Sequence, residues 1–137
     1  MEKALLKRVE CVYLPVKDVP ASAVWYERVL GLTLRSPVKP GGGAIMIMAS
    51  GQWLFLLPSP EGDPLIFLTT GWTEDNSPYE MFPLCFETEN IHALEASLRK
   101  SGVWMEQGIR DEGGCGLQLT FKDPDGNKIQ AWQQPAH

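Results

Sequence analysis

Residues 9–32 read VECVYLPVKDVPASAVWYERVLGL, and the order of signals within them decides the fold. Val9 to Val16 is rich in β-branched and aromatic residues, which suit a pleated strand. Lys17-Asp18 then offers a turn with a helix-capping carboxylate, and Pro20 stands where a first helical turn accommodates proline. Val24, Trp25, Val29 and Leu30 recur at helical spacing, and Gly31 supplies the left-handed residue that closes a helix. Three short strand candidates follow at residues 32–35, 44–49 and 52–57, with Gly41-Gly42-Gly43 and Ser50-Gly51 as turns. From Met81 the order returns. Leu84-Cys85-Phe86 is strand-like, Asn90 takes the capping place of Asp18, and Ile91, Leu94, Glu95 and Leu98 keep helical spacing up to Gly102. Residues 103–106, 117–121 and 128–133 are the next strand candidates, the last two separated by Asp123-Pro124-Asp125-Gly126-Asn127. The chain therefore carries β-α-β-β-β twice, over about 8–57 and about 81–134. The linker, about 58–80, is rich in Pro, Gly and Asp, yet Leu65-Ile66-Phe67-Leu68 predicts a short extra strand or an edge cover.

Composition bounds what this repeat can be. The 137 residues suit one domain, and a domain near this size buries roughly 68–70% of its unfolded surface without help from a disulfide or metal. Apolar residues at 44% and charged ones at 21% are ordinary for a globular chain. The balance of 12 basic against 17 acidic residues, a net charge of −5, excludes a nucleic-acid binder that lives on phosphate contacts. No apolar run is long enough for a membrane span, and residues 1–8, MEKALLKR, lack the apolar core of a secretion signal. The expected location is the cytoplasm. Cys11, Cys85 and Cys115 are odd in number with no CxxC, which fits neither a disulfide framework nor a structural zinc site. With only His92 and His137, a His-rich metal site cannot be assembled within one chain, and no GxSxG accompanies them. Gly41-Gly42-Gly43 and Gly113-Gly114-Cys115-Gly116 match no phosphate-cradling pattern and read as flexible turns.

Two copies of β-α-β-β-β predict an α+β architecture in a single domain, residues 1–137. Its curved mixed sheet would be partly closed, with the helices outside. Strand parity then sorts the side chains. Val12, Leu14 and Val16 belong on the helix-covered face, while Cys11, Tyr13 and Pro15 face the concavity. The inward set collects Tyr13, Trp53, Phe55, Cys85 and Trp132, with Met46 and Met48 as further candidates and Gln118, Thr120 and Gln130 as polar points. Aromatic walls with a few polar groups are the usual composition of a small-molecule site. The same pattern also describes a cavity filled by its own side chains, and both readings stand at this point.

Tyr13-Leu14-Pro15-Val16-Lys17-Asp18-Val19 leading to Trp25-Tyr26-Glu27-Arg28-Val29-Leu30-Gly31-Leu32 resembles the opening signature of the vicinal oxygen chelate superfamily. Phe121-Lys122-Asp123-Pro124-Asp125-Gly126-Asn127-Lys128-Ile129 resembles its closing signature. The superfamily includes glyoxalase I, bleomycin- and fosfomycin-resistance proteins and extradiol dioxygenases. The resemblance implies the glyoxalase-like fold and a homodimer, but one fold hosts several chemistries. In metal-dependent members, His and Glu ligands come from the first and last strands of each repeat. Matching Asp18 to the family signature and to Asn90, and Gly51 to Gly126, places Cys11, Phe55, Pro83 and Gln130 at those positions. Two of these side chains cannot ligate and one is a neutral amide, so no divalent metal is expected.

The implied function is binding or sequestering a small hydrophobic or aromatic molecule through Tyr13, Trp53, Phe55, Gln118, Gln130 and Trp132. The alternative is a lyase or dioxygenase-type enzyme. It would use either an unconventional metal set of Cys11, Gln130 and Glu10, or metal-free chemistry with Glu87 as base or Cys11 as nucleophile. Each candidate has a plainer role beside it. Cys11 also reads as a buried inert thiol, Glu87 as a solvated rim residue, Arg35 as a surface ion pair rather than an anion contact, and His92 as solvent-facing. Asp123 and Asp125 read as turn formers.

Overall fold

The structure is a computed structural model that describes residues 3–136. The chain divides into two compact units, one ending at Pro60 and one beginning at Glu61, each holding one repeat. In the first, β1 (Cys11–Val16) leads into α1 (Val19–Leu30), followed by β2 (Thr33–Leu34), β3 (Ala44–Ile47) and β4 (Trp53–Pro58). The capping chemistry is as the sequence implies. Asp18 Oδ1 accepts the Ala21 amide at 3.0 Å, and Gly31 closes the helix at φ 74°. The strands lie in the order β1-β4-β3-β2, with β1 and β4 parallel and the other pairs antiparallel.

One face of this sheet is dry. Leu14, Val16, Ala44, Met46, Leu54 and Leu56 are buried on it, and α1 packs there through Val19, Ala23, Tyr26 and Val29. The helical stripe is not the one read from Val24 and Trp25. Val24 is 45% exposed, and Tyr26 is fully buried in its place. Residues 19, 22, 23, 26 and 29 form the i, i+3, i+4, i+7 face, and Val24 falls opposite to it. Met46 also moves from its expected place. The antiparallel register sets it against Leu54, so it points to the helix, and Ile45 and Ile47 take the other face. Met48 falls beyond the end of β3.

The second unit begins with a two-stranded hairpin, β5 (Phe67–Thr69) and β6 (Tyr79–Met81), which is the extra strand expected of the linker. Then come β7 (Leu84–Glu87), α2 (Ile91–Lys100), β8 (Arg110–Asp111), β9 (Leu117–Lys122) and β10 (Lys128–Gln133), in the sheet order β7-β10-β9-β8. Asn90 caps α2 through the Ala93 amide at 3.0 Å. Ile91 and Leu98 of α2 are buried, as are Leu119, Phe121, Ile129 and Ala131 of β9 and β10, on which it packs. Neither sheet is closed.

Residues 103–106 do not form the predicted strand. They contribute one bridge, Met105 to Phe121, before the chain turns at Gly108 (φ 81°). There the Ile109 amide donates to the Glu95 carboxylate at 3.1 Å instead of to a ladder. The Asp-Pro-Asp-Gly-Asn turn is held from within. Asp123 Oδ1 accepts the amides of Asp125 and Asn127, each at 2.9 Å, and Asn127 Oδ1 accepts the Leu65 amide at 2.6 Å, fastening the linker to the turn. Among the described residues no helix is long and apolar enough to cross a membrane.

Candidate functional site

The ladder registers assemble the helix-free face of the first sheet into two cross-strand rows. One runs Thr33, Ile47, Trp53, Cys11. The other runs Arg35, Ile45, Phe55, Tyr13, because the Arg35 amide donates to the Ile45 carbonyl and extends the pairing of β2. Tyr13 and Phe55 stack with ring centroids 4.8 Å apart and planes 22° from parallel. Trp53 meets Phe55 edge to face at 5.8 Å. Parity thus brings Tyr13, Trp53, Phe55 and Cys11 together as expected. Tyr13 is 57% exposed, so this aromatic surface is open rather than filled by the chain's own side chains. The Cys11 side chain beside it holds the Tyr13 phenol above the ordinary range.

The helix-free face of the second sheet is polar. Glu87, Trp132, Gln118 and Arg110 form one row, and Cys85, Gln130 and Thr120 the next. Gln130 is 6% exposed and donates through Nε2 to Gln118 Oε1 at 3.2 Å. Gln118 Oε1 also lies 3.4 Å from Arg110 Nη2. Trp132 Nε1 donates to the Cys115 carbonyl at 2.6 Å. Gln118, Gln130 and Trp132 therefore lie on one sheet, and Tyr13, Trp53 and Phe55 on the other. Glu87 and Cys85 are exposed residues at the open end of this face. Burial of its part-covered thiol pushes Cys85 up. His92 is exposed on α2, Cys115 is exposed in its turn, and His137 lies outside the described residues.

The registers also preserve the correspondence between repeats. The shift that carries Asp18 onto Asn90 carries Tyr13 onto Cys85, and the one that carries Gly51 onto Gly126 carries Phe55 onto Gln130. Tyr13 faces Phe55 across one parallel ladder, and Cys85 faces Gln130 across the other. Cys11, Phe55, Pro83 and Gln130 do not fit a divalent metal. Phe55 and Pro83 offer no donor atom, the Gln130 carbonyl is a neutral and weak ligand, and one thiol does not hold an ion. Glu10, the other acidic candidate, is an exposed side chain 3.3 Å from Arg8. Among the described residues no cluster of three or more His, Cys, Asp or Glu side chains is placed to hold a metal.

A cluster that sequence reasoning missed lies at the end of the second sheet. Lys128 is 2% exposed, its Nζ 3.1 Å from Glu106 Oε1 and 4.3 Å from the Tyr79 ring centroid. It also donates to the Glu80 carbonyl. The Tyr79 hydroxyl donates to the same Glu106 carboxylate at 2.8 Å, and Lys122 pairs with Glu80 at 2.7 Å. Burial first, then the bond to Glu106, push the Tyr79 phenol far above its ordinary value. The folded chain thus holds this proton more tightly than the unfolded chain. The resulting stability is complete below about pH 10 and is lost as pH rises further. We expect the urea midpoint to fall from about pH 10 upward more steeply in the wild type than in Tyr79→Phe. Parallel curves for the two would remove Tyr79 as the cause.

A concavity of about 460 Å³ opens elsewhere, at the N-terminus of α1, lined by Lys17, Asp18, Pro20, Lys39, Gly41 and Pro58. It contains none of the expected site residues.

The two units each carry one β-α-β-β-β repeat, with the helix on one face of its sheet. The sequence pattern of the Glyoxalase/Bleomycin resistance protein/Dioxygenase superfamily matches residues 7–131, and the chain belongs to that superfamily. Among solved structures, a glyoxylase/bleomycin resistance protein/dioxygenase domain from Frankia sp. EAN1pec is 23% identical, with 95% of this chain and 93% of that one covered at a TM-score of 0.71. TnmS3, an antibiotic binding protein from Streptomyces sp. CB03234, is 21% identical over 97% and 100% of the two chains, with a TM-score of 0.66. The genomically encoded fosfomycin resistance protein FosX from Listeria monocytogenes is 12% identical over 96% of each chain, with a TM-score of 0.68. No curated protein sequence matches this one.

Proposed function

We propose that this protein binds and sequesters a small aromatic or hydrophobic molecule on the helix-free face of its first sheet, without a divalent metal and as a homodimer. The observation that carries this is the stack of exposed Tyr13 on half-buried Phe55, with Trp53 at its edge. Water contact on such a surface is costly, and a planar ligand recovers both apolar area and ring–ring attraction. Phe55 stands at one of the two family ligand positions that here lack a donor atom, so apolar contact replaces coordination there. The antibiotic binding protein among the structural relatives is named for the same kind of task.

Calorimetric titration with 4-(2-naphthyl)butanamide, a neutral bicyclic probe, tests the proposal. Saturable binding is expected for the wild type. In Tyr13→Ala, where an exposed ring is lost, it should weaken by about tenfold, the equivalent of about 1.4 kcal/mol. No saturable heat with the wild type, or equal affinity in Tyr13→Ala, removes the aromatic face as the site.

A further inference from the structure

The two rows of the aromatic face contain one charged side chain, Arg35. Its guanidinium carbon lies 4.7 Å from the centroid of the Trp53 ring. A ring face attracts the guanidinium charge through its quadrupole and offers its N–H donors no hydrogen-bond acceptor. Arg35 takes part in none of the ion pairs among the described residues.

The second repeat shows how this position is otherwise treated. The Leu34–Met46 pair corresponds to the Met105–Phe121 bridge. The Glu106 amide donates to the Thr120 carbonyl as the Arg35 amide donates to Ile45. Glu106 is therefore the counterpart of Arg35, and the shift that carries Phe55 onto Gln130 makes Lys128 the counterpart of Trp53. In the second sheet a cation and a carboxylate of the chain neutralise each other at these two places, 3.1 Å apart. In the first sheet the cation meets a ring, and among the described residues its charge has no counter-ion. An aromatic surface with one uncompensated guanidinium, in a chain of net charge −5, is complementary to a specific chemistry.

We propose that the ligand is an aromatic anion. Its ring system lies on Tyr13 and Phe55, and its carboxylate, or a comparable oxyanion, is held by Arg35. The inference rests on the aromatic-face reading above and adds the charge. Arg35 stands two strands from Phe55, about 10 Å at the backbone. The anionic group therefore sits on a short arm rather than on the ring itself.

The test compares 4-(2-naphthyl)butanoate with its primary amide by calorimetry at low salt. The wild type should bind the acid about tenfold more tightly than the amide, as expected of a charge-assisted contact at a partly exposed site. Arg35→Gln should bring the affinity for the acid down to that for the amide. Equal affinity of the wild type for both probes, or a preference for the acid that survives in Arg35→Gln, overturns the anion proposal and leaves the aromatic face standing. If neither probe binds the wild type, the aromatic-face reading fails and the anion proposal falls with it.

Discussion

Glu106→Ala is expected to lower the free energy of unfolding by about 3–5 kcal/mol, the usual cost of removing one partner from a buried ion pair. The cause is what remains. Lys128, 2% exposed, loses the carboxylate 3.1 Å away, and the Tyr79 hydroxyl loses its acceptor at 2.8 Å. The Glu80 carbonyl still accepts from Lys128 but cannot neutralise its charge. Since Glu106 is itself 24% exposed, part of the loss is recovered by water entering the gap, which places the value toward the lower end. At about 2–4 °C per kcal/mol for chains somewhat larger than this one, the melting temperature should drop by roughly 10 °C. Replacing both partners together, Glu106→Leu with Lys128→Met, should restore much of the loss, because no charge is then left buried. Urea denaturation followed by tryptophan fluorescence gives all three values. A cost under about 1 kcal/mol for Glu106→Ala would show that Lys128 reaches water and that the cluster is a surface feature.

That cluster also shows where sequence reasoning stops. The caps and turns were legible because their chemistry is local. Asp18, Asn90, Gly31 and the Asp-Pro-Asp-Gly-Asn turn each satisfy backbone groups within four residues of themselves. Two of the failures turn on partners outside the segment being read. Residues 103–106 have strand composition, but their continuation is decided by Glu95, fourteen positions back, which captures the Ile109 amide. Met46 lies in a four-residue strand flanked by glycine-rich turns, where composition does not fix the phase. Its register against Leu54 decides which way it points.

The site divides along the same line. The row of Tyr13 and Phe55 followed from parity in two six-residue strands that each alternate cleanly, so one signature residue was enough to set their faces. Lys128 carried a signal that went unused. It shares parity with Gln130 and Trp132, both assigned inward, and an inward lysine needs a partner. Tyr79 and Glu106 were not identifiable as those partners. One sits in a linker hairpin, the other in a segment mistaken for strand.

Gly116 is the remaining position where a small change should have a large effect. Gly113-Gly114-Cys115-Gly116 has the composition of a loose turn, yet the structure makes it a single 3-10 turn, Gly113–Cys115, closed by a buried Gly116 at φ 87°, ψ −163°. That conformation belongs to glycine alone. A methyl group at Gly116 would run into the Gln133 carbonyl and lie 2.8 Å from Trp132 Nε1. Gly116→Ala should therefore cost about 2–6 kcal/mol, from backbone strain of about 1–3 and overpacking of about 1–3 kcal/mol. Gly114→Ala, where an added Cβ meets nothing within 4 Å, should stay within about 0.5 kcal/mol of the wild type. The contrast reads out in near-ultraviolet circular dichroism as well as in stability, because the turn fixes Trp132 through the Cys115 carbonyl. Similar losses from both substitutions would mean that the cost is not specific to the backbone conformation and close contacts of Gly116. Similar tolerance would mean that Trp132 is not held by it. The expected asymmetry makes this glycine turn an anchor that orients the indole on the second sheet, a different role from the flexible turn its composition suggests.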